Sequence, residues 1–312
     1  MLNTALYILG AAVLAIVFSS ALPQPLTIHN YNYDLSDNVE IFNNIPQRVI
    51  TTNGSATETL LALGLEKNMI GTAYLDNPPM EELQAAYDRI PVISRMYPGK
   101  EQVLALEPDL IVGWHSVFAP QNLGDTSYWN RLGVATFILR DSSPLPSRIS
   151  NVYDDLRDLG LIFQVEERAA SFINDIDSEL QAMAELTGAR DKSLRVLILE
   201  NMSGGRMRAW GDDSTPGQML ITIGAVNVFS RTGDQNRESI VAANPDAVII
   251  IYMDSVLEES ELLLNSFFTD PILKYTQASK DRRIGLVPLS ETYCPGVRII
   301  DGLKHMSNIL FA

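Results

Sequence analysis

Cysteine and histidine are scarce in this 312-residue chain, and their scarcity excludes several kinds of site. The single cysteine, Cys294, rules out an intramolecular disulfide and a zinc site built from several cysteine ligands. The cysteine count does not identify the cellular compartment. Only His29, His115 and His305 are present, and they lie far apart in the sequence. A site for bare manganese or zinc needs histidines clustered with carboxylates, so none is expected.

Positive charge is also in short supply. Lysine and arginine number 23 against 38 aspartates and glutamates, which gives a net charge of −15 and a pI near 4.6. A nucleic-acid-binding protein needs a basic face, so that class is excluded. An acidic surface keeps a protein soluble and can dock on a basic partner. The length and the 46% hydrophobic content are enough for about two packed domains.

The usual catalytic motifs are missing. The loop Ser203-Gly-Gly-Arg206 lacks the Gly-Lys-Ser/Thr ending of a phosphate-binding loop. No Gly-x-Ser-x-Gly nucleophile motif occurs, and Cys294 has no histidine nearby in sequence to activate it. The sequence therefore favours a binding protein over an enzyme.

The N-terminus carries an uncharged apolar run, Ala5–Phe18, which has the length of a signal-peptide core. Ser19-Ser20-Ala21 supplies a small-x-small cleavage pattern, although no lysine or arginine precedes the run. We expect residues 1–22 to be a signal peptide or a membrane anchor, both of which imply export. No lipobox cysteine follows, which argues against lipid attachment by that route. Residues 23–45 are polar with scattered aromatics and are predicted to be an extended lead-in.

The strongest pattern is an internal repeat. Glu101–Val112 (EQVLALEPDLIV) returns without a gap as Glu238–Ile249 (ESIVAANPDAVI), with most other positions exchanging one aliphatic residue for another. In each copy a first-turn acid and helically spaced apolar residues predict a helix. Pro108 or Pro245 then ends it. The uninterrupted aliphatic run that follows is typical of a strand covered on both faces. Two such copies indicate two similar α/β lobes.

Strands alternate with helices along the rest of the chain, which predicts mostly parallel sheets. We assign residues 46–145 to an N-terminal lobe, 146–188 to linking helices and 189–312 to a C-terminal lobe. The linking segment is strongly helical, with a predicted break at Gly160. Its second helix, Val165–Leu186, would be about 33 Å long at 1.5 Å per residue. It can either brace the two lobes or be an ordinary amphipathic surface helix.

The order of motifs resembles a known family, the periplasmic substrate-binding proteins of ABC importers with a helical backbone, in the group that serves ferric siderophores, haem and cobalamin. The resemblance covers about Arg48 to Phe311. The motifs that carry it are Arg48-Val-Ile-Thr51, Ser55-x-x-Glu58, Ala62-Leu-Gly64, Glu101-x-Val-Leu-Ala-Leu-x-Pro-Asp109, Gly217-x-Met-Leu220, Gly224-Ala-x-Asn-Val228, Glu238 through Asp246, and Pro295-Gly-x-Arg298. Each motif is weak alone, and their order and spacing make them specific together.

The resemblance implies two Rossmann-like lobes joined by a long helix, with the ligand in the cleft between them. It also implies that one glutamate on each lobe meets arginines of the membrane permease, and the matching positions are Glu101 and Glu238. From the residues alone, both could equally be good first-turn acids. The resemblance further implies a protein without a cofactor, and we expect a monomer.

Candidate ligand residues lie in the loops after the strands, because open α/β sheets bind at the carboxyl ends of their strands. In order along the chain they are Asn53, Tyr74, Asp76, Arg95, Tyr97, Trp114, His115, Arg140, Asn201, Arg206, Arg208, Trp210, Tyr252, Tyr293 and Arg298. Arginines supply charge and forked donors, while aromatic rings stack on flat groups. This combination suits a large anionic chelate, and a ferric siderophore is the favoured ligand.

Other ligands and roles stay open at this point. Haem would need an axial ligand, which Tyr74, Tyr97, His115 or Tyr293 could supply. Cobalamin would suit an aromatic-lined cleft equally well. A sensor or scaffold that uses the same fold without transport is the alternative from another functional class.

Overall fold

The computed structural model describes residues 21–143, 147–188, 194–202 and 206–311. The predicted signal-peptide core Ala5–Phe18 and residues 203–205 of the predicted loop lie outside these ranges. The predicted lobe boundaries near residues 145 and 188 border other omitted positions, so they stay predictions. No helix in the described ranges is both long and apolar enough to cross a membrane.

The chain begins with an antiparallel hairpin of two strands, β1 (Ala21–Tyr31) and β2 (Asp37–Asn44). The sequence analysis predicted only an extended lead-in for this segment. The structure adds the pairing of the two strands and their position against the N-terminal lobe.

The N-terminal lobe is a five-stranded, wholly parallel sheet in the order β5-β4-β3-β6-β7. Its elements are β3 (Val49–Thr51), α1 (Gly54–Ala62), β4 (Met69–Ala73), α2 (Glu81–Tyr87), β5 (Val92–Ser94), α3 (Lys100–Ala105), β6 (Leu110–Gly113), α4 (Thr126–Arg131) and β7 (Ala135–Ile138). Parallel neighbours require crossover connections, and the helices provide them. The carboxyl ends of all five strands therefore share one edge.

Two helices, α5 (Ile149–Phe163) and α6 (Glu166–Gly188), link the lobes. The predicted break at Gly160 was wrong, because α5 continues through it and ends at Gln164, whose φ is 54°. Gly160 serves a packing role instead: a Cβ there would lie 2.9 Å from the Cβ of Ala169 on α6. One side of α6 faces inward, with Ile173, Ile176 and Met183 buried.

The C-terminal lobe is a six-stranded sheet with the path β11-β9-β8-β12-β13 and β10 paired to β8. Its elements are β8 (Arg195–Met202), β9 (Arg206–Ala209), α7 (Thr215–Thr222), β10 (Val226–Asn227), β11 (Gly233–Gln235), α8 (Arg237–Ala243), β12 (Ala247–Tyr252), α9 (Leu257–Thr269), α10 (Gln277–Asp281), β13 (Ile284–Pro288) and α11 (Ile299–Phe311). The β8, β10, β12 and β13 strands are parallel, whereas β9 pairs antiparallel with both β8 and β11. The predicted mostly parallel α/β class with two lobes is confirmed.

The two copies of the repeat occupy equivalent places in separate sheets. In the first copy α3 leads into β6, which pairs with β3, and in the second α8 leads into β12, which pairs with β8. Asp109 accepts a hydrogen bond from the backbone N–H of Arg48 at 2.9 Å, and Asp246 accepts one from Arg195 at 2.9 Å. The aspartate of each repeat therefore fixes the start of the neighbouring strand, which explains why Pro-Asp occurs in both copies.

Side chains of the hairpin complete the outer edge of the N-terminal sheet. Asn30 donates to the carbonyl of Ile138 at 3.0 Å and accepts from its N–H at 2.8 Å. Glu40 accepts from the N–H of Thr136 at 2.9 Å. The backbone of the edge strand β7 is thus satisfied by side chains, which keeps that edge from pairing with another chain.

A single apolar cluster connects the lobes through the linking helices. Its buried members include Leu60 of α1, Leu156 of α5, Ile176 of α6, Ile198 of β8 and Leu303 of α11. Close-packed protein interiors transmit strain and resist shearing. Movement between the lobes is therefore expected to be small.

Candidate functional site

Five aromatic rings form a continuous row across the boundary between the two lobes. Centroids of Tyr74 and Tyr97 lie 4.9 Å apart, and those of Tyr74 and Trp114 lie 5.8 Å apart. Trp114 meets Tyr293 of the other lobe at 6.0 Å, and Tyr293 meets Trp210 at 5.8 Å. These distances and the tilted or edge-on geometries are those of favourable aromatic pairs. We call these five residues the aromatic row.

Strand ends position the aromatic row, as the sequence analysis expected. Tyr74, Trp114 and Tyr293 follow β4, β6 and β13 respectively, on the carboxyl side of each sheet. Tyr74 has a φ of 50° and Cys294, next to Tyr293, has a φ of 48°. Non-glycine residues adopt this left-handed conformation rarely, and such strain concentrates at functional sites.

Hydrogen bonds fix two members of the row. Asn53, which caps α1, accepts from Nε1 of Trp114 at 2.8 Å when its amide oxygen faces the indole. The hydroxyl of Tyr97 lies 2.7 Å from Oγ of Ser116. The predicted site residue Asn53 is fully buried and contacts the aromatic row through this hydrogen bond with Trp114.

The tyrosines of the row are held in their neutral phenol form. Burial raises the pKa values of Tyr74, Tyr97 and Tyr293. At neutral pH these groups offer hydroxyl donors and acceptors rather than anionic oxygen. A tyrosinate ligand for a metal would have to overcome this preference.

Three of the arginines predicted to bind an anionic ligand are already engaged in ion pairs. Arg140 contacts Asp155 at 2.6 Å and Asp158 at 2.5 Å. Its guanidinium is mostly buried between these two carboxylates, because both project from α5 toward the end of β7. Arg140 therefore holds α5 on the N-terminal lobe, and its predicted contact with a ligand stays a prediction.

The other two engaged arginines belong to the C-terminal lobe. Arg298 contacts Glu58 of the N-terminal lobe at 2.5 Å, with both side chains buried. Arg206 contacts Asp234 at 3.0 Å across β9 and β11, where both side chains are half-exposed. Arg298 is thus engaged at the lobe interface, whereas Arg206 keeps part of its guanidinium open to solvent, and their contact with a ligand stays a prediction.

His115 is engaged by the tip of the hairpin. Its Nε2 lies 2.7 Å from the carbonyl oxygen of Tyr33, and the two rings stack at 4.6 Å. The hairpin residue Tyr33 was missed by sequence reasoning, because nothing in the lead-in marked it as a neighbour of residue 115. His115 therefore cannot offer Nε2 to a ligand without breaking this contact.

The remaining predicted residues lie at the rim or at contacts between the lobes. Arg95 is exposed after β5, next to Tyr97 in the chain. Tyr252 and Asp76 line a narrow gap where the lobes touch. Asn201 donates to the carbonyl of Glu259 at 3.2 Å, which directs it toward α9. Arg208 does face the row, with its guanidinium 5.9 Å from the ring of Trp210.

A small cavity lies behind the row. It is lined by both apolar and polar side chains, among them Leu139, Ser55, Thr59 and Asp141, and has room for about one water molecule. Within the described ranges, Oγ of Ser55, Oγ1 of Thr59 and Oδ2 of Asp141 have no hydrogen-bond partner. Burial raises the pKa of Asp141 to about 6, while a hydrogen bond from Asn151 lowers it.

Metal-ligating side chains do not cluster in the part of the chain that the structure describes, where no group of three or more His, Cys, Asp or Glu could hold an ion. The repeat glutamates Glu101 and Glu238 are both exposed in the first turns of α3 and α8. Both helices precede a parallel strand, so their N-termini lie toward the carboxyl edges of the sheets, where the cleft is. The two acids therefore occupy equivalent positions on the two lobes.

Comparison with known proteins identifies the family. The model of the periplasmic binding protein family matches residues 49–288. The chain belongs to the periplasmic binding proteins. Among solved structures, a periplasmic binding protein from Veillonella parvula superposes with a TM-score of 0.84, at 25% identity over 93% of each chain.

Curated relatives of this periplasmic binding protein are substrate-binding proteins. The uncharacterized ABC transporter substrate-binding lipoprotein YvrC of Bacillus subtilis is 25% identical over 65% of this chain, a match that spans only 63% of YvrC itself. The ferric-anguibactin-binding protein FatB of Vibrio anguillarum is 22% identical over 83% of this chain and 80% of its own. The vitamin B12-binding protein of Salmonella typhimurium is 26% identical over 65% of this chain and 71% of its own length.

Proposed function

We propose that this chain is the exported, non-catalytic substrate-binding protein of an ABC importer and captures a metal chelate in the interlobe cleft. The aromatic row carries this proposal. It joins both lobes and offers flat apolar faces with neutral hydroxyl groups between them. Such faces stack on the aromatic or planar parts of an organic chelate and exclude water from it.

A ferric siderophore is the proposed ligand class. FatB, which matches 83% of this chain, is named for binding ferric anguibactin, and this supports a ferric chelate as the ligand. The free metal ion is not proposed, since the described part of the chain lacks a cluster of ligating side chains. The chelator would supply the coordinating atoms and the protein would recognise its organic surface.

Cobalamin is the second candidate, favoured by the predominance of aromatic over free cationic groups in the cleft and by a relative of that name. Haem has less support. His115 is bound to Tyr33, and burial favours the neutral form of the tyrosines that could serve as axial ligands.

Delivery to a permease is proposed through Glu101 and Glu238. Their exposure and their equivalent places in the repeat support this role, because a symmetric pair of acids suits two basic sites on a dimeric membrane partner. A sensor or scaffold role would use the same cleft without delivery.

Calorimetric titration of the purified protein with ferric siderophores, haemin and cyanocobalamin tests the binding proposal. We expect one ligand to bind at a single site with a negative heat-capacity change, the marker of buried apolar surface. Tyr293→Ala should weaken that binding. The matched control is Tyr275→Ala, at an exposed tyrosine outside the row, which should bind like the wild type. If no chelate of the panel binds, the proposal is wrong.

A further inference from the structure

The arginines predicted to bind the ligand supply less unpaired positive charge than their number suggests. Arg140, Arg206 and Arg298 each form an ion pair with an acid of this chain. Of the predicted cleft arginines, Arg208 faces the aromatic row and Arg95 is exposed at its rim. A polyanionic ligand would therefore meet few free cations here.

A carboxylate that sequence reasoning overlooked lies beside the row. Glu200 is near the carboxyl end of β8, directly opposite Arg208 of β9 in the strand register. Successive strand residues point to opposite faces. Ile198 packs in the same cluster as Trp210 and Tyr293, whereas Leu199 packs on the other face of the sheet. Glu200 therefore points to the face that carries the C-terminal part of the row.

Glu200 and Trp210 both present unsatisfied polar atoms there. Oε2 of Glu200 and Nε1 of Trp210 are buried without a hydrogen-bond partner among the described residues. Burial raises the pKa of Glu200, while the positive charge of Arg208 and then the N–H of Trp210, which is directed at the carboxylate, lower it. The indole is thus close enough to influence the carboxylate, but the two do not form a hydrogen bond of good geometry.

Unsatisfied buried groups of this kind are costly in the empty protein. A carboxylate oxygen accepts hydrogen bonds and attracts positive charge, and an indole N–H donates. A ligand that carries both a donor, such as an ammonium, amide or hydroxyl group, and an acceptor would satisfy them together. The carboxylate also offsets the positive charge of Arg208 opposite it, so a ligand with a large negative charge would gain little attraction here.

We propose that Glu200, together with Nε1 of Trp210, forms a recognition point for a hydrogen-bond donor on the ligand, so that the cleft selects neutral or cationic chelates over polyanionic ones. This inference rests on the proposed function and narrows it. It replaces the anionic chelate expected from the count of arginines with one whose organic shell is uncharged or basic.

A charge series of ferric chelates tests the inference. The probes are a ferric trihydroxamate with a free ammonium group, its acetylated neutral form, and a ferric tricatecholate trianion. Fluorescence titration should give the tightest binding to the first, and the weakest to the third. Glu200→Gln should weaken the ammonium-bearing chelate by roughly 10- to 100-fold, the loss expected for a charge-assisted hydrogen bond, and should change the tricatecholate little or improve it.

Matched variants separate recognition from structure. Glu200→Asp retains the charge and should preserve the order of the three chelates. Glu261→Gln makes the same chemical change at an exposed acid of α9 in the same lobe and should leave all three affinities unchanged. Raising the ionic strength with the wild type should weaken the ammonium-bearing chelate and strengthen the trianion, a result that needs no variant to fold.

The outcomes distinguish the two proposals. If the wild type binds the tricatecholate most tightly, or if Glu200→Gln affects all three chelates equally, the inference is overturned while the binding function stands. If neither these probes nor the chelates of the calorimetric panel bind, the proposed function fails and the inference fails with it.

Discussion

Glu58 and Arg298 join the two lobes through a two-pronged ion pair. Nε of Arg298 lies 2.6 Å from Oε2 of Glu58, and its terminal nitrogen lies 2.5 Å from Oε1. Backbone groups of the N-terminal lobe hold both members of the pair. Arg298 also donates to the carbonyl of Pro78 at 2.6 Å, and Glu58 accepts from the N–H of Met80 at 2.8 Å. Two sequence motifs 240 residues apart thus meet at the lobe interface.

Breaking this pair on one side should destabilise the protein. Arg298→Met leaves the carboxylate of Glu58 buried without its partner, which costs about 3–5 kcal/mol in comparable sites. Chemical denaturation measures the free energy of unfolding. The double variant Glu58→Gln/Arg298→Met removes both charges and should recover much of the loss. Equal stability of the wild type and Arg298→Met would contradict this account of the interface.

The hairpin should contribute to stability through its side chains at β7. Asn30→Ala leaves the N–H and carbonyl of Ile138 unpaired in a buried position and is expected to cost about 1–3 kcal/mol. Asn43→Ala, at an exposed asparagine of the same hairpin, is the matched control and should change the unfolding free energy by less than about 0.5 kcal/mol. Identical effects of the two substitutions would show that the hairpin edge is not held in this way.

Stability should fall as pH rises through the titration of Asp141. Burial raises the pKa of Asp141 from 3.8 to about 6, so between these values the folded protein binds more protons than the unfolded chain. The free energy of unfolding therefore decreases with rising pH in that window, by about 3 kcal/mol at most. Asp141→Asn should lose this pH dependence of the unfolding free energy, while its amide oxygen can still accept the hydrogen bond from Asn151.

Denaturation at pH 4.5 and pH 7.5 measures the effect. The gain in stability of Asp141→Asn over the wild type should be larger at pH 7.5. A gain that is the same at both pH values would mean that Asp141 keeps an ordinary pKa.

Uptake should depend on the repeat glutamates while ligand affinity does not. Glu101→Ala with Glu238→Ala removes both exposed acids without touching the aromatic row, so binding should be unchanged and transport into cells that depend on the protein should fall. Glu82→Ala with Glu258→Ala is the matched control, since these are exposed first-turn acids of α2 and α9. Loss of ligand affinity in the first pair would place those acids in the site instead.

The duplicated architecture could be predicted because its signals are local. Helical spacing, a proline stop and a buried aliphatic run recur within twelve residues, and the structure places both copies in equivalent positions of separate sheets. The aromatic residues of the row could also be found, because strand ends are visible in the sequence. The predicted break at Gly160 failed because its role is contact with Ala169 rather than a change of chain direction.

The electrostatics of the cleft could not be predicted in the same way. Whether an arginine is free depends on acids brought near it by folding, as with Arg298 and Glu58. In the sequence, Glu200 is marked only as a carboxylate at the end of a buried apolar run. Its proposed role in ligand recognition depends on the position of Trp210, which only the fold determines. The contact between Tyr33 and His115 likewise depends on how the hairpin packs.

The most direct test of the account is whether one ligand contacts both lobes through the aromatic row. Tyr74→Ala in the N-terminal lobe and Tyr293→Ala in the C-terminal lobe should each raise the dissociation constant of the same ligand, measured by quenching of the protein's tryptophan fluorescence. Trp129→Phe, at a ring fully buried in the N-terminal core, should leave that dissociation constant unchanged. A loss of affinity confined to the variant of one lobe would contradict a ligand site between the lobes.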